Sequence, residues 1–487
     1  MPVRRETPAP LPHQEEGVQF LRDRDAAALF DEQGLGKSRQ LIEAITQSID
    51  DGALDGALII CPNIIKSTWG EEIERYSNLR YAVFGAGRKA RRTAFRSLRA
   101  VFYVINYEAV AAEMPSLRAL LRFKKMALVL DESHRIKTPT ARVTRMVHAL
   151  RHDATKRYIM SGTPVANKPE DLWAQYFFLD DGATLGENFE AFRNRFCTSN
   201  GGYKRVGELR QSIAGLSLRR EKEGTVQLPP KTFTRVAVAL GEEQLRMYNE
   251  MRNQLVLWIR DLSGEEILAR ADNILTRLVR LAQLASNPGL IDAQYEETPA
   301  KFCALDELVP TYLQADSEKV IIWTSFVGNI GALQDRFARF RPVCLHGEMD
   351  GKSRDFSVAA FKQDPTVRLL IANPAAAREG LTLTQARIAI YVDRTFNLVD
   401  FLQSQDRIHR LSQSRPCEIL LLTAEGTIDE FIDFSISQKH RLARYTQRDS
   451  DRISRADLAL QKPDLLRALI EPSENRIGLG ISERPRS

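Results

Sequence analysis

The sequence predicts an α/β fold with two lobes, each a parallel sheet with flanking helices, arranged in tandem with helical insertions between them. Short apolar runs alternate with helical stretches in both halves of the 487-residue chain, a pattern typical of parallel strands joined by crossover helices. The first half contains AAALF, GALIIC, VFYVIN, MALVLD and RYIMSG, and the second contains KVIIWTSF, VCLHG, RLLIAN, IAIYVD and EILLLT. An interval of different character, from about Pro169 to Pro299, separates the two sets. We therefore expect two sheets.

The interval between the lobes is expected to be helical. Residues 242–284 carry apolar side chains at helical spacing together with many arginines. The LPPK sequence at residues 228–231 marks a connection between the lobes, because a helix does not continue through two prolines. We expect a first lobe at residues 1–180, helical insertions at 181–300 with the linker near 226–232, a second lobe at 301–445, and a polar tail or brace at 446–487.

Composition favours a protein of the cytoplasm, or of the nucleus in a eukaryote. No run approaches the roughly 18–20 apolar residues of a membrane-spanning helix, and the N-terminus lacks the apolar core of a secretory signal. We expect no membrane partner and favour a monomer. The formal charge of +6 is a mild excess, since 69 basic residues face 63 acidic ones. This excess alone does not establish a polyanionic partner.

The sequence DEQGLGKS predicts a phosphate site, because it lies between an apolar strand and a helix. Such a loop directs main-chain N–H groups and the positive end of a helix at an anion. Gly34 and Gly36 allow the backbone to approach phosphate closely, Lys37 can reach the terminal phosphates, and the Ser38 hydroxyl can bind Mg²⁺. The general phosphate-loop pattern has glycine where this chain has Asp31. The expected ligands are ATP and Mg²⁺.

Two carboxylates follow the apolar strand MALVLD, at the strand end where ligands of open α/β sheets bind. Asp131 is placed to hold Mg²⁺ through water, and Glu132 to orient or deprotonate the attacking water. An acidic turn with no catalytic role is the alternative for an isolated pair. The phosphate loop upstream favours the catalytic interpretation.

Two arginines in QSQDRIHRLSQ complete the predicted ATP site. Arg407 and Arg410 are three residues apart, which predicts that they share one face of a helix. An arginine that reaches the γ-phosphate on lobe closure typically contributes about 10³- to 10⁵-fold in rate. A pair of surface arginines is the alternative.

The motifs together resemble the Swi/Snf-type branch of the superfamily-two, DEAD/DEAH-like helicase ATPases. The resemblance covers about residues 10–440, and the motifs occur in the family's order: LPHQEEGVQFL, DEQGLGKS, CPNIIKSTWGEEI, VINYEAV, DESHRIKTPTA, SGTPVANKPEDLW, SLRREKEGTVQLPPK, IIWTSFVGNIGAL, LHGEMDGKSRDFSVAAF, REGLTLTQA and QSQDRIHRLSQ. It implies two RecA-like lobes and an ATPase that translocates on double-stranded DNA without separating the strands. It also implies a minimal member of the family, of bacterial, phage or repair type. The helical insertions and the tail are candidate surfaces for protein partners.

The resemblance implies roles for further residues. Gln14 stands where the family reads adenine, and Gly380 is a further ATP-binding candidate. The candidates for coupling hydrolysis to movement are His134, Ser161, Thr163 and Gln403. The nucleic-acid candidates are Lys66, Ser67, Thr68, Tyr107, Thr138, Thr324, Ser325 and His346. Two positions depart from the family: Ser133 replaces the usual alanine, and Ala377-Arg378 replace a common glycine pair.

Two other functions remain open at the level of sequence. A helicase that separates or anneals strands on forked or single-stranded nucleic acid would carry similar motifs. Scattered aromatic residues, which make up 8% of the chain, do not indicate a stacking channel for a single strand. A non-catalytic DNA-binding subunit is disfavoured, because every predicted catalytic side chain is present.

Overall fold

The computed structural model describes residues 9–85, 100–198, 202–260, 266, 270–315, 317–376, 381–450 and 453. The chain divides into two compact units. The first comprises Met1–Thr198, Tyr203–Gln227 and Arg441–Ile453, and the second comprises Ser199–Gly202, Leu228–His440 and Ser454–Ser487.

The first unit contains a parallel sheet of seven strands in the order β3-β4-β2-β5-β6-β1-β7. The central strands are buried along their whole length, as expected for a parallel sheet covered by helices on both faces. The strands are β1 (Ala26–Leu29), β2 (Gly56–Cys61), β3 (Tyr81–Val83), β4 (Phe102–Asn106), β5 (Met126–Asp131), β6 (Lys156–Met160) and β7 (Ser217–Leu218).

The helices of the first unit pack on this sheet through apolar side chains. One core cluster joins Leu41 and Ile45 of α2 and Trp69 and Ile73 of α3 to the strands. The helices are α1 (Pro12–Arg22), α2 (Lys37–Asp50), α3 (Lys66–Tyr76), α4 (Val110–Phe123), α5 (Arg142–Leu150), α6 (Trp173–Asp180), α7 (Phe189–Phe196) and α8 (Val206–Ser212).

The second unit contains a parallel sheet of six strands in the order β10-β11-β9-β12-β13-β8. Its strands are β8 (Lys231–Val238), β9 (Val320–Trp323), β10 (Val343–Leu345), β11 (Leu369–Ala372), β12 (Ile388–Tyr391) and β13 (Cys417–Ala424). Its helices are α9 (Glu242–Arg260), α10 (Ala271–Ser286), α11 (Ala300–Tyr312), α12 (Val327–Arg336), α13 (Gly351–Gln363), α14 (Leu398–Gln405) and α15 (Ile428–Thr446). Helix α15 begins in this unit, and its residues from Arg441 belong to the first.

The predicted α/β fold with two parallel sheets is confirmed, and each predicted apolar run forms a strand. The expectation of helical insertions at residues 181–300 is wrong at two strands: β7 pairs with β1, and β8 pairs with β13 along its whole length. Strand β8 was missed because most of its side chains are exposed and its sequence KTFTRVAV lacks a continuous apolar run. Helices α9 and α10 agree with the helical insertion predicted at residues 242–284.

Asp449, which follows helix α15, forms an ion pair with Arg219 of the first unit. The Asp449 carboxylate accepts hydrogen bonds from Arg219 Nε at 3.0 Å and Nη2 at 2.7 Å. The same guanidinium donates to the carbonyl oxygens of Phe30 at 2.6 Å and Gly162 at 3.0 Å. Arg219 therefore ties residue 449 to the ends of strands β1 and β6. Residues 454–487, most of the predicted tail or brace, lie outside the described residues.

Among the described residues, the helices are too short or too polar to cross a membrane.

Candidate active site

The loop between β1 and α2 has the backbone conformation that a phosphate site requires. Gly34 and Gly36 have φ values of 92° and 79°, in the left-handed region that favours glycine. A Cβ atom on Gly36 would lie 2.3 Å from Gln14 Nε2, so the glutamine amide would have to move, and the positive φ would strain any residue with a side chain. Helix α2 begins at Lys37 without a side-chain cap, and its first turn can therefore satisfy an anion.

Helix α1 positions two buried side chains against this loop. His13 Nε2 lies 3.0 Å from the Leu35 carbonyl oxygen, and Gln14 Nε2 donates to the same oxygen at 3.4 Å. The Gln14 Oε1 atom accepts from the Leu11 main-chain N–H at 3.1 Å. The amide is thus held in one orientation beside the loop. Its predicted contact with adenine stays a prediction.

The Lys37 ammonium lies inside the loop. Its Nζ atom donates to the carbonyl oxygens of Asp31 at 2.7 Å and Glu32 at 3.4 Å. Burial lowers the pKa of Lys37, against the opposing charges of Glu132, Asp31 and Asp131. Ser38 follows as the second residue of α2 and is half-buried. An ammonium and a hydroxyl at this helix end fit the charge and metal of Mg²⁺–ATP.

Asp31, the departure from the general phosphate-loop pattern, anchors a distant segment. Its fully buried carboxylate accepts from Arg220 Nε at 2.9 Å and Nη2 at 2.6 Å, and from Gln40 Nε2 at 3.1 Å. Arg220 Nη2 also donates to Gln40 Oε1 at 2.9 Å. A glycine could not make this ion pair. The sequence SLRREK therefore fixes the phosphate loop, a role that sequence reasoning missed because it assigned this run only to the linker.

Replacing Arg220 with alanine is expected to lower the free energy of unfolding by about 3–5 kcal/mol, because the buried Asp31 carboxylate would lose the cation that is hydrogen-bonded to it. Equilibrium denaturation measures this loss. The control is Arg122→Ala, which removes a largely exposed arginine and leaves the Asp153 carboxylate paired with Arg118. This variant should cost at most about 1 kcal/mol. Equal losses of unfolding free energy in the two variants would show that the buried Asp31–Arg220 pair stabilises the fold no more than the Arg122–Asp153 pair does.

Strand β5 carries Asp131 at its end. The carboxylate accepts from Trp69 Nε1 at 2.9 Å and from the Glu132 main-chain N–H at 2.9 Å. Burial and the neighbouring Glu132 charge raise the pKa of Asp131 to about 7, against the Trp69 hydrogen bond and the Lys37 charge. A buried carboxylate beside Lys37 suits a divalent cation, which would compensate its charge.

Glu132 adopts a left-handed conformation, with φ 52° and ψ 52°, which is uncommon for a residue with a side chain and recurs at functional sites. Its Oε1 lies 3.4 Å from Gln33 Nε2, and its Oε2 lies 3.4 Å from Ser161 Oγ and 3.3 Å from His134 Nδ1. Ser161 Oγ also lies 3.2 Å from His134 Nδ1 and accepts from the Thr163 main-chain N–H at 3.1 Å. The structure thus brings the predicted water-orienting carboxylate and three predicted coupling residues into one network.

Gln33 and Gly162 complete this network and were not singled out from sequence. A Cβ atom on Gly162 would lie 2.6 Å from Gln33 Cγ, so only glycine permits this approach of β6 to the phosphate loop. The Ser133 hydroxyl, which replaces a usual alanine, donates to Gln175 Oε1 at 2.7 Å. The only sequence signal for Gln33 is its position inside DEQGLGKS.

The two predicted arginines do not share a helix face. Helix α14 ends at Gln405, and the following residues form turns. The main-chain N–H groups of Arg407 and Ile408 donate to carbonyl oxygens three residues earlier in the chain. The prediction that both lie on a helix is therefore wrong. Arg407 is buried, and its side chain donates to the carbonyl oxygens of Gln403 at 2.8 Å and Leu381 at 3.1 Å.

Arg410 is only half-buried. Its Nε donates to the Asp406 carbonyl at 2.8 Å, and its Nη1 donates to Thr382 Oγ1 at 2.8 Å. Gln403, the predicted coupling residue of the second unit, is buried and accepts from Arg407 through its main chain. Gly380, the other predicted ATP-binding residue of this unit, lies outside the described residues.

Three of the nucleic-acid candidates are buried with internal partners. Lys66 Nζ donates to the Phe84 carbonyl at 2.8 Å, Tyr107 Oη to the Asp131 carbonyl at 2.8 Å, and Thr324 Oγ1 to Asp393 Oδ2 at 2.8 Å. These side chains are not placed for direct contact with a backbone phosphate. The candidates with exposed or half-buried side chains are Ser67, Thr68, Thr138, Ser325 and His346.

Comparison with known families gives two matches that together span most of the chain. The SNF2-related domain matches residues 13–290, and the helicase conserved C-terminal domain matches residues 300–412. The boundary between the two matches falls within the second structural unit.

Three similar proteins illustrate the relationship. The chromodomain-helicase-DNA-binding protein 1-like of Danio rerio is 27% identical over 457 residues, covering 88% of this chain and 43% of the relative. The putative ATP-dependent helicase/translocase YwqA of Bacillus subtilis is 29% identical over 459 residues, covering 88% and 48%. The DNA annealing helicase and endonuclease ZRANB3 of Homo sapiens is 25% identical over 461 residues, covering 90% and 40%. The chain thus spans less than half the length of each relative.

Proposed function

The chain belongs to the SNF2-related family, and on that premise we propose that it hydrolyses ATP to translocate along double-stranded DNA and to remodel DNA or protein–DNA complexes. The observation that carries the proposal is the convergence of Lys37, Asp131 and Glu132 with Ser161 in the first unit. These are the groups that bind phosphate, hold a metal, orient water and respond to hydrolysis.

The residues of the first unit divide the chemistry among them. Lys37 and the first turn of α2 would hold the phosphates, while Ser38 and Asp131 would hold Mg²⁺, which neutralises phosphate charge. Glu132 orients the attacking water or takes its proton. Phosphoryl transfer needs little covalent help from a protein, so positioning and charge stabilisation supply most of the rate.

The network around Glu132 supports a link between hydrolysis and movement. Ser161 Oγ touches both Glu132 and His134, so a change at the carboxylate alters the contacts of the loop after β6. Arg219 donates to the Gly162 carbonyl in the same loop. A loop held by several directional hydrogen bonds is suited to two discrete arrangements, as coupling requires.

Two of the relatives carry DNA in their names, which favours DNA as the partner. Ser67 and Thr138 are exposed and Ser325 is half-buried, so their hydroxyl groups are candidates for contacts with backbone phosphates, a mode of binding that does not depend on sequence. Duplex DNA is the substrate that the family resemblance implies. Binding should weaken with salt, because phosphate contacts release counterions.

The test is ATP turnover by the purified chain alone and with blunt duplex, single-stranded or forked DNA, together with displacement of a triplex-forming strand. We expect blunt duplex DNA to stimulate turnover and ATP to drive triplex displacement. Lys37→Ala should abolish both. Absence of stimulation by any nucleic acid would contradict the proposal.

A strand-annealing or strand-separating motor is the second candidate, favoured by the similarity to a DNA annealing helicase. It predicts that forked or single-stranded DNA stimulates turnover more than blunt duplex DNA does. The same substrate series therefore separates the two functions.

A further inference from the structure

Two aromatic side chains, Trp69 and Tyr107, donate hydrogen bonds to Asp131. Both lie in segments that contain predicted nucleic-acid-binding residues. Trp69 on helix α3 donates its indole N–H to Asp131 Oδ2 at 2.9 Å. Tyr107, directly after strand β4, donates its hydroxyl to the Asp131 carbonyl oxygen at 2.8 Å. The exposed fractions of Trp69 and Tyr107 are 2% and 1%. Neither side chain has a role in the mechanism proposed above.

Helix α3 connects the indole to the protein surface. Ser67 is exposed and Thr68 is half-buried, and both directly precede Trp69 in the first turn of the helix. Neighbouring residues of one helical turn are joined by a rigid backbone. A phosphate that binds Ser67 or Thr68 and shifts this turn would therefore also shift the indole N–H relative to the carboxylate.

The Asp131 carboxylate is suited to respond to such a shift. Strand β5 is paired on both sides, with β2 and with β6, so its main chain is held in place. The Glu132 main-chain N–H binds Oδ1, and Trp69 binds Oδ2. Hydrogen bonds to a carboxylate are strong and directional. The orientation of the carboxylate thus depends on where α3 places the indole.

We propose that Trp69, supported by Tyr107, is a positioning residue that couples nucleic-acid contact at the first turn of α3 to the orientation of the Asp131 carboxylate. The inference rests on the proposed function, since it takes duplex DNA as the stimulus and Mg²⁺–ATP as the ligand. Trp69 and Tyr107 touch neither. They act through Asp131, as residues that orient a metal ligand do.

The variant Trp69→Phe tests the coupling, because it keeps a large aromatic ring and removes the N–H donor. We expect duplex-stimulated ATP turnover to fall by about 10- to 100-fold, the usual cost of losing a partner of a metal ligand. Turnover without DNA should fall less than the stimulated turnover does, so that the ratio of the two decreases. The affinity for duplex DNA, measured by fluorescence anisotropy, should stay close to that of the wild type, because Trp69 is buried. Tyr107→Phe should also reduce the stimulation of ATP turnover by duplex DNA.

A binding measurement separates coupling from packing. Duplex DNA should change the Mg²⁺ concentration at which the wild type half-maximally binds a fluorescent, non-hydrolysable ATP analogue. This DNA-dependent change should disappear in Trp69→Phe. Trp173→Phe is the matched control, because Trp173 donates its indole N–H to the Gly186 carbonyl at 3.0 Å. Tyr158→Phe matches Tyr107→Phe, since Tyr158 donates to the Leu21 carbonyl at 2.8 Å.

The outcomes distinguish this inference from the proposed function. Wild-type stimulation and an unchanged Mg²⁺ response in both Trp69→Phe and Tyr107→Phe would overturn the coupling and leave the proposed function standing. Equal losses in Trp69→Phe and Trp173→Phe would also overturn it, because packing alone would account for them. A wild-type chain that no nucleic acid stimulates would overturn the proposed function, and the inference with it.

Discussion

Replacing Glu132 with glutamine is expected to lower kcat for ATP by about 10²- to 10⁴-fold, the usual contribution of a general base. Glutamine has the shape of glutamate, but its amide neither takes a proton nor carries the charge that orients water. The neighbours Gln33, Ser161 and His134 would still find a polar side chain within reach. Nucleotide affinity should therefore persist while hydrolysis is lost.

Single-turnover hydrolysis of ATP and binding of a fluorescent ATP analogue measure the two quantities separately. The control is Glu43→Gln on helix α2, where the glutamate pairs with Arg39. This control should keep the wild-type kcat. A Glu132→Gln variant with nearly wild-type kcat would show that another group orients the attacking water.

Replacing Arg410 with alanine is expected to lower kcat by about 10³- to 10⁵-fold if Arg410 is the arginine finger that the family resemblance implies. Arg410 is half-buried and bonded to Thr382 Oγ1, so its loss should leave the fold of the second unit intact. Arg407→Ala should differ, because this buried side chain holds the Leu381 carbonyl. We expect it to lower Tm as well as kcat.

Measurement of kcat together with thermal unfolding separates these effects. Arg339→Ala, at an exposed arginine of the same unit, is the control and should change neither quantity. A wild-type kcat in Arg410→Ala would exclude Arg410 as the finger. A reduced kcat at an unchanged Tm in Arg407→Ala would transfer that role to Arg407.

The sequence was sufficient to predict the strands that have continuous apolar runs and the loop between β1 and α2, because both depend on local pattern. Fully buried parallel strands need continuous apolar runs, and β2 and β5 show them. Strand β8 was missed because its exposed side chains carry no such pattern. The glycines of the loop could be identified because their positive φ angles disfavour other residues.

The contacts that complete the site could not be predicted, because they join residues far apart in the chain. Arg220 and Asp31 are separated by 189 positions, and Trp69 and Asp131 by 62. Single-sequence patterns carry no signal for such pairs. Lys66 and Tyr107 were assigned to nucleic acid from their motifs, whereas their burial depends on the packing of neighbouring strands and helices.

The ion pair between Arg219 and Asp449 has a consequence for the folding of the first unit during synthesis. A ribosome releases Arg219 long before Asp449, which lies 230 positions later. Domains generally fold as units in the order of synthesis. The first unit, however, includes Arg441–Ile453, which follows residues 228–440 of the second unit in the chain. Its folding should therefore finish only after residue 449 has been synthesised, and a fragment ending at residue 227 would lack the carboxylate that binds Arg219.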